Sequence, residues 1–331
     1  MVLTLLYVAG VYWMTGGEMV SFGVILAMSQ YVSRFWQPIT SLANIYNSFV
    51  NNIAYLERIF ETMDEPVVVD DVPGAQDLPH ISGEVEFKDV TFAYEEGMNI
   101  LEHIDLHVKA GESIALVGPT GAGKSTVVNL LCRFYNINGG KILLHGDDGS
   151  THDISQITLH SLRSQLGIML QDSFIFSGTL MDNIRYGRLD ATDEEIQEAA
   201  KRVRADDFIS KMPQGYKTEV KERGGNLSQG QKQLVAFART LLSNPAILIL
   251  DEATSSIDTQ TEKLLQEGIQ EMLKGRTSFI IAHRLSTIKN CDRILYIGNK
   301  GIMEQGSHDE LMAKKGLYYQ LYTTQAQGAQ G

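Results

Sequence analysis

Apolar residues run almost unbroken from Met1 to Met14, and Gly16-Gly17-Glu18 then reads as a turn. The first stretch is too short to span a bilayer unaided. A second apolar stretch runs from Val20 towards Trp36, interrupted by Ser21, Ser29, Gln30, Ser33 and Arg34. Polar residues inside a membrane helix usually face a bundle or an aqueous cavity. From Ile39 to Met63 the pattern stays helical but turns polar at Asn44, Asn47, Asn51, Asn52, Glu57 and Arg58, which reads as one long helix leaving a membrane. Asp64-Glu65-Pro66 stops it. The alternative is that both segments are core helices of a soluble domain. The first segment argues against it, because it lacks a polar face. No Lys or Arg precedes Arg34 and no clean small-residue cleavage site follows, so a signal peptide is disfavoured.

Beyond Met63 the pattern changes twice. Residues 64–80 carry Pro66, Pro73 and Pro79 and the acidic residues Asp64, Glu65, Asp70, Asp71 and Asp77, a linker composition. A new domain begins near Ile81. Glu84-Val85-Glu86-Phe87 and Asp105-Leu106-His107-Val108 alternate as strands, with a loop at Glu95-Glu96-Gly97 between them. Strands then alternate with helices. The continuous apolar runs Ser113–Val117, Ala246–Leu250 and Thr277–Ala282 suit strands buried on both faces. Residues 192–244 read as a helical subdomain with a loop at 213–226. The sum is an α/β fold: a sheet with its ligand at the carboxyl ends of its strands, an antiparallel β subdomain in front and helices inserted.

Candidate chemistry concentrates at one of those strand ends. Gly118-Pro119-Thr120-Gly121-Ala122-Gly123-Lys124-Ser125-Thr126 fits G-x-x-x-x-G-K-[ST], with a strand before it and the helix Thr126–Leu131 after it. Glycines let backbone N–H groups curl around phosphates, and a helix N-terminus favours the anion. Lys124 supplies a charge to the β/γ-phosphates, and the Ser125 hydroxyl suits Mg²⁺. The run from Ala246 ends in Asp251-Glu252, where one carboxylate can hold Mg²⁺ and the next can polarise water. Ser228 is placed to cap a helix opened by Leu227-Ser228-Gln229-Gly230-Gln231. Gln171 follows the strand Leu166–Leu170, His283 ends the strand from Thr277, and Tyr94 closes the first strand pair.

Charge narrows the partners. With 28 Lys+Arg against 40 Asp+Glu the formal net charge is −12, and no basic stripe offers to neutralise nucleic acid. Cys132 and Cys291 match no zinc or redox spacing, and Cys132 reads as a small buried hydrophobe.

In that order, these motifs resemble the nucleotide-binding domain of an ABC transporter over about Gly83 to Tyr322, as a P-loop NTPase fold. The resemblance implies that Tyr94 stacks on adenine and that Gly118 to Thr126 form the Walker A loop. It implies that Gln171 touches Mg²⁺ and the membrane-domain interface. Leu227 to Gln231 correspond to the signature motif, with Ser228, Gly230 and Gln231 facing nucleotide. Asp251 corresponds to Walker B, Glu252 to the general base, Ser256-Ile257-Asp258 to the D-loop, and His283 to the switch histidine on the γ-phosphate. Thr218 to Gly224 resemble a segment found in exporters. Residues 1–63 resemble the end of an exporter membrane domain, by general character and by Glu57-Arg58-Ile59-Phe60. The implied protein is an integral membrane half-transporter with its ATP-binding domain in the cytoplasm. It would use ATP and Mg²⁺ and touch membrane lipid and an unknown transported substrate, but not nucleic acid. Two such domains would clamp head to tail around two ATP molecules.

Two departures from the family pattern bear on this. Gln229 stands where the family usually has glycine. A heterodimer with one weakened site and an ordinary homodimer with Gln229 turned to solvent are both open. Gly146 to Asp153 look longer than usual and read as a surface insertion rather than a metal site, despite His145 and His152. Two rival readings are a soluble ATPase of the same superfamily acting on DNA or ribosomes, and an ATP-binding regulatory fragment. Whether Met1 is a true start or a cut in a longer gene is open as well.

Overall fold

The computed structural model describes residues 2–16, 21–169, 174–251, 259–282 and 285–328. The chain divides into two compact units, Met1–Val67 and Val68–Gly331.

In the first unit α1 (Val2–Thr15) packs on α2 (Phe22–Met63). Gly10 makes the close approach possible, since a Cβ there would lie 2.7 Å from Ile25 Cδ1. Helix α2 continues through Pro38 for 42 residues, and of its side chains only Ile25 and Ser29 are buried. At 100° per residue, the hydroxyl and amide residues from Ser29 through Gln37 and Asn44 to Asn52 fall within about 80° of one direction, with Arg34 at the edge. Phe35, Leu42, Phe49 and Ile53 lie on the opposite side and are exposed. Among the described residues no helix is both long and apolar enough to cross a membrane.

The second unit opens with β1 (Ile81–Ala93), β2 (Asn99–Val108) and β3 (Ser113–Val117), followed by α3 (Lys124–Leu131), β4 (Gly139–Gly146) and β5 (Thr151–Asp153). Next come α4 (Leu159–Ser164), β6 (Leu166–Met169), β7 (Gly178–Thr179), α5 (Leu180–Arg185), α6 (Asp193–Arg202), α7 (Asp206–Ile209) and β8 (Glu219–Val220). The chain continues through α8 (Gln229–Ser243), β9 (Ile247–Asp251), α9 (Thr259–Leu273), β10 (Thr277–Ile281) and α10 (Leu285–Lys289). It ends with β11 (Arg293–Gly298), β12 (Gly301–Gly306), α11 (His308–Lys314) and α12 (Leu317–Gly328).

The central sheet has the order β12-β11-β3-β10-β9-β6 and is parallel except for β12. Its strands bury both faces, which is why they read as unbroken apolar runs. Ile114, Leu116, Ile249 and Phe279 face a core shared with β1, β2, β4 and α3. Ala115, Val117, Leu248 and Ile280 face a second core shared with α5, α6 and α8.

The antiparallel sheet has the order β2-β1-β4-β5. Its strands outrun the alternating stretches in the sequence. Asp89 (φ 50°) sits in a register shift between Phe87 and Val90, which breaks the period without ending the strand. The polar stretch at 146–153, read as a surface insertion, is built as a hairpin. Gly146 donates to Ser150 O at 2.9 Å, and β5 adds a fourth strand through Leu144 opposite His152.

Residues 68–80 have linker composition but run bonded along the second unit. Arg133 donates to Asp70 O at 2.9 Å and Asn136 Nδ2 to Val68 O at 3.0 Å. The Leu159 N–H donates to Asp71 Oδ1 at 2.7 Å, and Leu78 is buried.

Candidate functional site

Strand β3 lies between β10 and β11, and its carboxyl end opens into the loop 118–123. Gly118 (φ 140°) turns the chain against β11, and a Cβ there would sit 2.1 Å from Ile297 O. No other residue fits. Pro119, Thr120 and Gly121 are exposed and Ala122 is half-buried, its N–H donating to Pro119 O at 3.2 Å. Gly123 (φ 100°) is the N-cap of α3, and a Cβ there would lie 2.9 Å from Leu101 Cδ2. No side chain caps α3, so its first N–H groups open towards the loop, the arrangement that binds anions.

Lys124 reaches back over the loop. Its Nζ donates to Gly118 O at 2.9 Å and Pro119 O at 2.8 Å. Burial lowers its pKa, and the charge of Asp251 opposes that shift. Asp251 ends β9, two strands from β3, so its carboxylate acts electrostatically on the loop lysine. Ser125 is exposed at the start of α3. Ser125 and Asp251 are hard oxygen donors of the kind Mg²⁺ takes, and the site fits that ion.

Beside the loop stand three rings. Tyr94 is 47% exposed, and its Oη lies 3.2 Å from Oγ1 of the buried Thr126. Phe92 and Tyr135 meet it edge-to-face, with centroids at 4.8 and 4.9 Å. A half-exposed aromatic at the lip of a phosphate loop can receive a planar base.

Ser228 caps α8 reciprocally: the Gln231 N–H donates to its Oγ at 3.2 Å, and its own N–H donates to Gln231 Oε1 at 3.0 Å. Gln229 is the first residue of α8 and Gly230 is buried behind it. Position 229 is helical, so no left-handed backbone there demands glycine. Gln171, Glu252, Asp258 and His283 lie outside the described residues. The structure thus brings together Tyr94, residues 118–126 and Asp251, and leaves Ser228, Gly230 and Gln231 at the start of a different helix, α8.

Two groups escaped the sequence reading. Tyr135 left no signal, because one aromatic after a helix has no pattern. The other is Arg239, whose guanidinium donates to Asn183 O at 2.8 Å and Phe174 O at 2.9 Å and lies over the rings of Phe176 and Tyr186. Asn183 Nδ2 in turn donates to Phe176 O, so this network fixes the backbone at Phe174 and Phe176. Cys132 is buried, and burial pushes its thiol up to about 12, which removes it from thiolate chemistry.

Residues 101–255 match the family model described as ABC transporter. The chain is 49% identical over 306 residues to the uncharacterized ABC transporter ATP-binding protein YfiC of Bacillus subtilis, covering 92% of this chain and 50% of the relative. It is 45% identical over 315 residues to a fatty acid ABC transporter ATP-binding/permease protein of Mycobacterium bovis, covering 95% and 48%. A bacterial Atm1-family ABC exporter solved with ATP bound superposes with a TM-score of 0.74 at 40% identity, over 98% of this chain and 56% of that one. The chain spans about half the length of the curated relatives it matches. The phosphate loop, the tip carboxylate, the capped helix α8 and these likenesses together place the chain in the ABC transporter family.

Proposed function

We propose that this chain is the ATP-binding and ATP-hydrolysing part of an ABC exporter half-transporter. Residues 1–63 would be the end of its membrane domain, 64–80 a connector and 81–331 the ATP-binding domain. The observation that carries the reading is the loop at β3. Gly118 and Gly123 hold backbone shapes no side chain permits, and Lys124 is held over the loop by two carbonyls.

In this reading Tyr94 receives the adenine, the N–H groups of the loop and α3 take the phosphates, and Lys124 neutralises them. Ser125, Asp251 and Gln171 would hold Mg²⁺, which when bound neutralises charge on the β- and γ-phosphates. Glu252 accepts a proton from the attacking water, and His283 and Asp258 address the γ-phosphate side. A second half-transporter supplies the opposing signature, with Ser228 and Gly230 of this chain approaching the partner's nucleotide. Closure on ATP then biases a membrane domain between two states. The domain would sit in the cytoplasm beside the lipid bilayer, as its likeness to ATP-binding/permease proteins supports. The helical backbone at Gln229 requires no left-handed φ, so glutamine is not strained there, which favours a homodimer over a heterodimer. The exposed apolar side of α2 favours this reading over a soluble ATPase.

Two substitutions test it. Lys124→Ala is expected to weaken ATP binding in a direct titration, and unchanged affinity would reject the phosphate-loop reading. Glu252→Gln is expected to bind ATP normally and lose about 10²–10⁴-fold in turnover. Near-parent hydrolysis by the purified variant would remove Glu252 as the base.

A further inference from the structure

The segment that follows α3 is fixed from several sides. Arg133, 3% exposed, has a left-handed backbone (φ 49°) and donates from Nη1 to Ile157 O and from Nη2 to Asp70 O, both at 2.9 Å. Arg163 donates to Arg133 O at 2.9 Å and lies over the ring of Phe134. Five residues after Arg133, Asn138 donates its N–H to Thr91 O at 3.0 Å and accepts the Ala93 N–H on Oδ1 at 2.8 Å. Ala93 immediately precedes Tyr94. The segment therefore brackets the end of β1 through the backbone N–H and the side-chain carbonyl of Asn138, and meets Tyr94 with the ring of Tyr135 at an interplanar angle of 86°.

Tyr135 is itself 41% exposed, so this contact is not core packing. It makes no contact with the phosphate loop among its ring contacts, which are to Tyr94 and to Phe92 at 5.8 Å. The hydroxyl of Tyr94 is tied to Thr126, and one edge contact comes from its own strand through Phe92. Those leave the third restraint on the ring to Tyr135.

We propose that Tyr135 is a positioning residue for the nucleotide base, holding the Tyr94 ring in the attitude that receives it. The inference rests on Tyr94 being the base platform. Tyr135 then acts on the base alone. Its effect belongs in nucleotide affinity, not in the chemical step and not in phosphate recognition.

The test is a titration of the full chain with ATP and, separately, with tripolyphosphate, which has the phosphates but no base. Tyr135→Ala is expected to weaken ATP binding roughly 3–10-fold, the range of one aromatic pair, and to leave tripolyphosphate binding unchanged. The KM for ATP should rise with kcat retained, and Tyr135→Phe should behave as the parent. In Tyr94→Ala the further change Tyr135→Ala should cost little more, because the two rings act as one unit. Parent-like ATP binding by Tyr135→Ala would overturn the proposal. So would an equal loss for ATP and tripolyphosphate, which marks a merely structural role. An effect of Tyr135→Ala that persists in full when Tyr94 is alanine would overturn it as well. If Tyr94→Ala alone binds ATP as the parent does, the base-platform reading fails first, and tripolyphosphate binding still reports separately on the phosphate loop.

Discussion

Phe49 and Phe279 are the same residue with opposite fates. Phe49 stands on α2 and is 61% exposed, whereas Phe279 lies in β10 and is fully buried. The contrast holds for the two units as wholes. In the second, a sheet has a core on each face and the chain supplies both covers. In the first, two helices meet along one seam, and among the described residues of 1–67 the apolar side of α2 has no third wall. Its other side is a continuous row of uncharged amides and hydroxyls. The second unit covers both faces of its own central sheet. The first has two unlike faces that still need surroundings, which is how one piece of a larger helical assembly looks.

That comparison can be broken most sharply by truncating the two phenylalanines. Phe279→Ala is expected to lower the stability of the second unit by about 3–5 kcal/mol, and Phe49→Ala to leave it within about 0.5 kcal/mol. Denaturant unfolding followed on the nucleotide-binding unit reads both. Equal effects would mean that the units do not fold separately. A second, smaller effect locates the boundary. A chain beginning at Val68 should keep the unfolding midpoint of the second unit. One beginning at Ile81 should lose about 2–4 kcal/mol, since it gives up the buried Leu78 and the acceptor for Arg133 at Asp70. Matching midpoints for the two would show that residues 68–80 add nothing.

The smallest effect lies on the exposed face of the antiparallel sheet. The carboxylate of Asp89 accepts a hydrogen bond from His103 and holds its pKa above the ordinary range. A raised histidine stabilises the fold fully below its unfolded pKa of about 6.5 and ceases to as pH rises through the higher folded value. Glu84, held low by its hydrogen bond from His107, has the opposite sign: its contribution is lost as pH falls through its folded pKa. Stability measured as pH rises from about 6.5 should fall slightly for the parent and less for His103→Gln. An identical slope in both would remove His103 from the account.

The parts of this molecule that were legible in the sequence share a physical cause. Strands β3, β9 and β10 are buried on both faces, so hydropathy alone marks them. The phosphate loop is legible because glycine at positions 118 and 123 is enforced by backbone shape and close contact. The N-cap at Ser228 is legible because a hydroxyl residue just ahead of a helix is the type that caps it. What escaped has causes of its own. The bulge at Asp89 hides the length of β1. Strands β7 and β8 have two residues each and no period to detect. Residues 68–80 look like a free linker because their bonding partners, Arg133, Asn136 and Leu159, lie far away in sequence, which composition does not record. Tyr135 and Arg239 act through neighbours far away in sequence, Tyr94 and Phe174.

The arm of Lys124 carries one more consequence. An unrestrained lysine side chain has about 2 kcal/mol of rotamer entropy. Here the ammonium is tied to two carbonyls of its own loop, so that freedom is surrendered when the chain folds. A phosphate group arriving at the loop meets a charge already in position, and the disorder lost on association is chiefly its own. Affinity at such a site is governed by how rigid the ligand is, and a stiff chain of phosphates has an advantage over a flexible polyanion of equal charge.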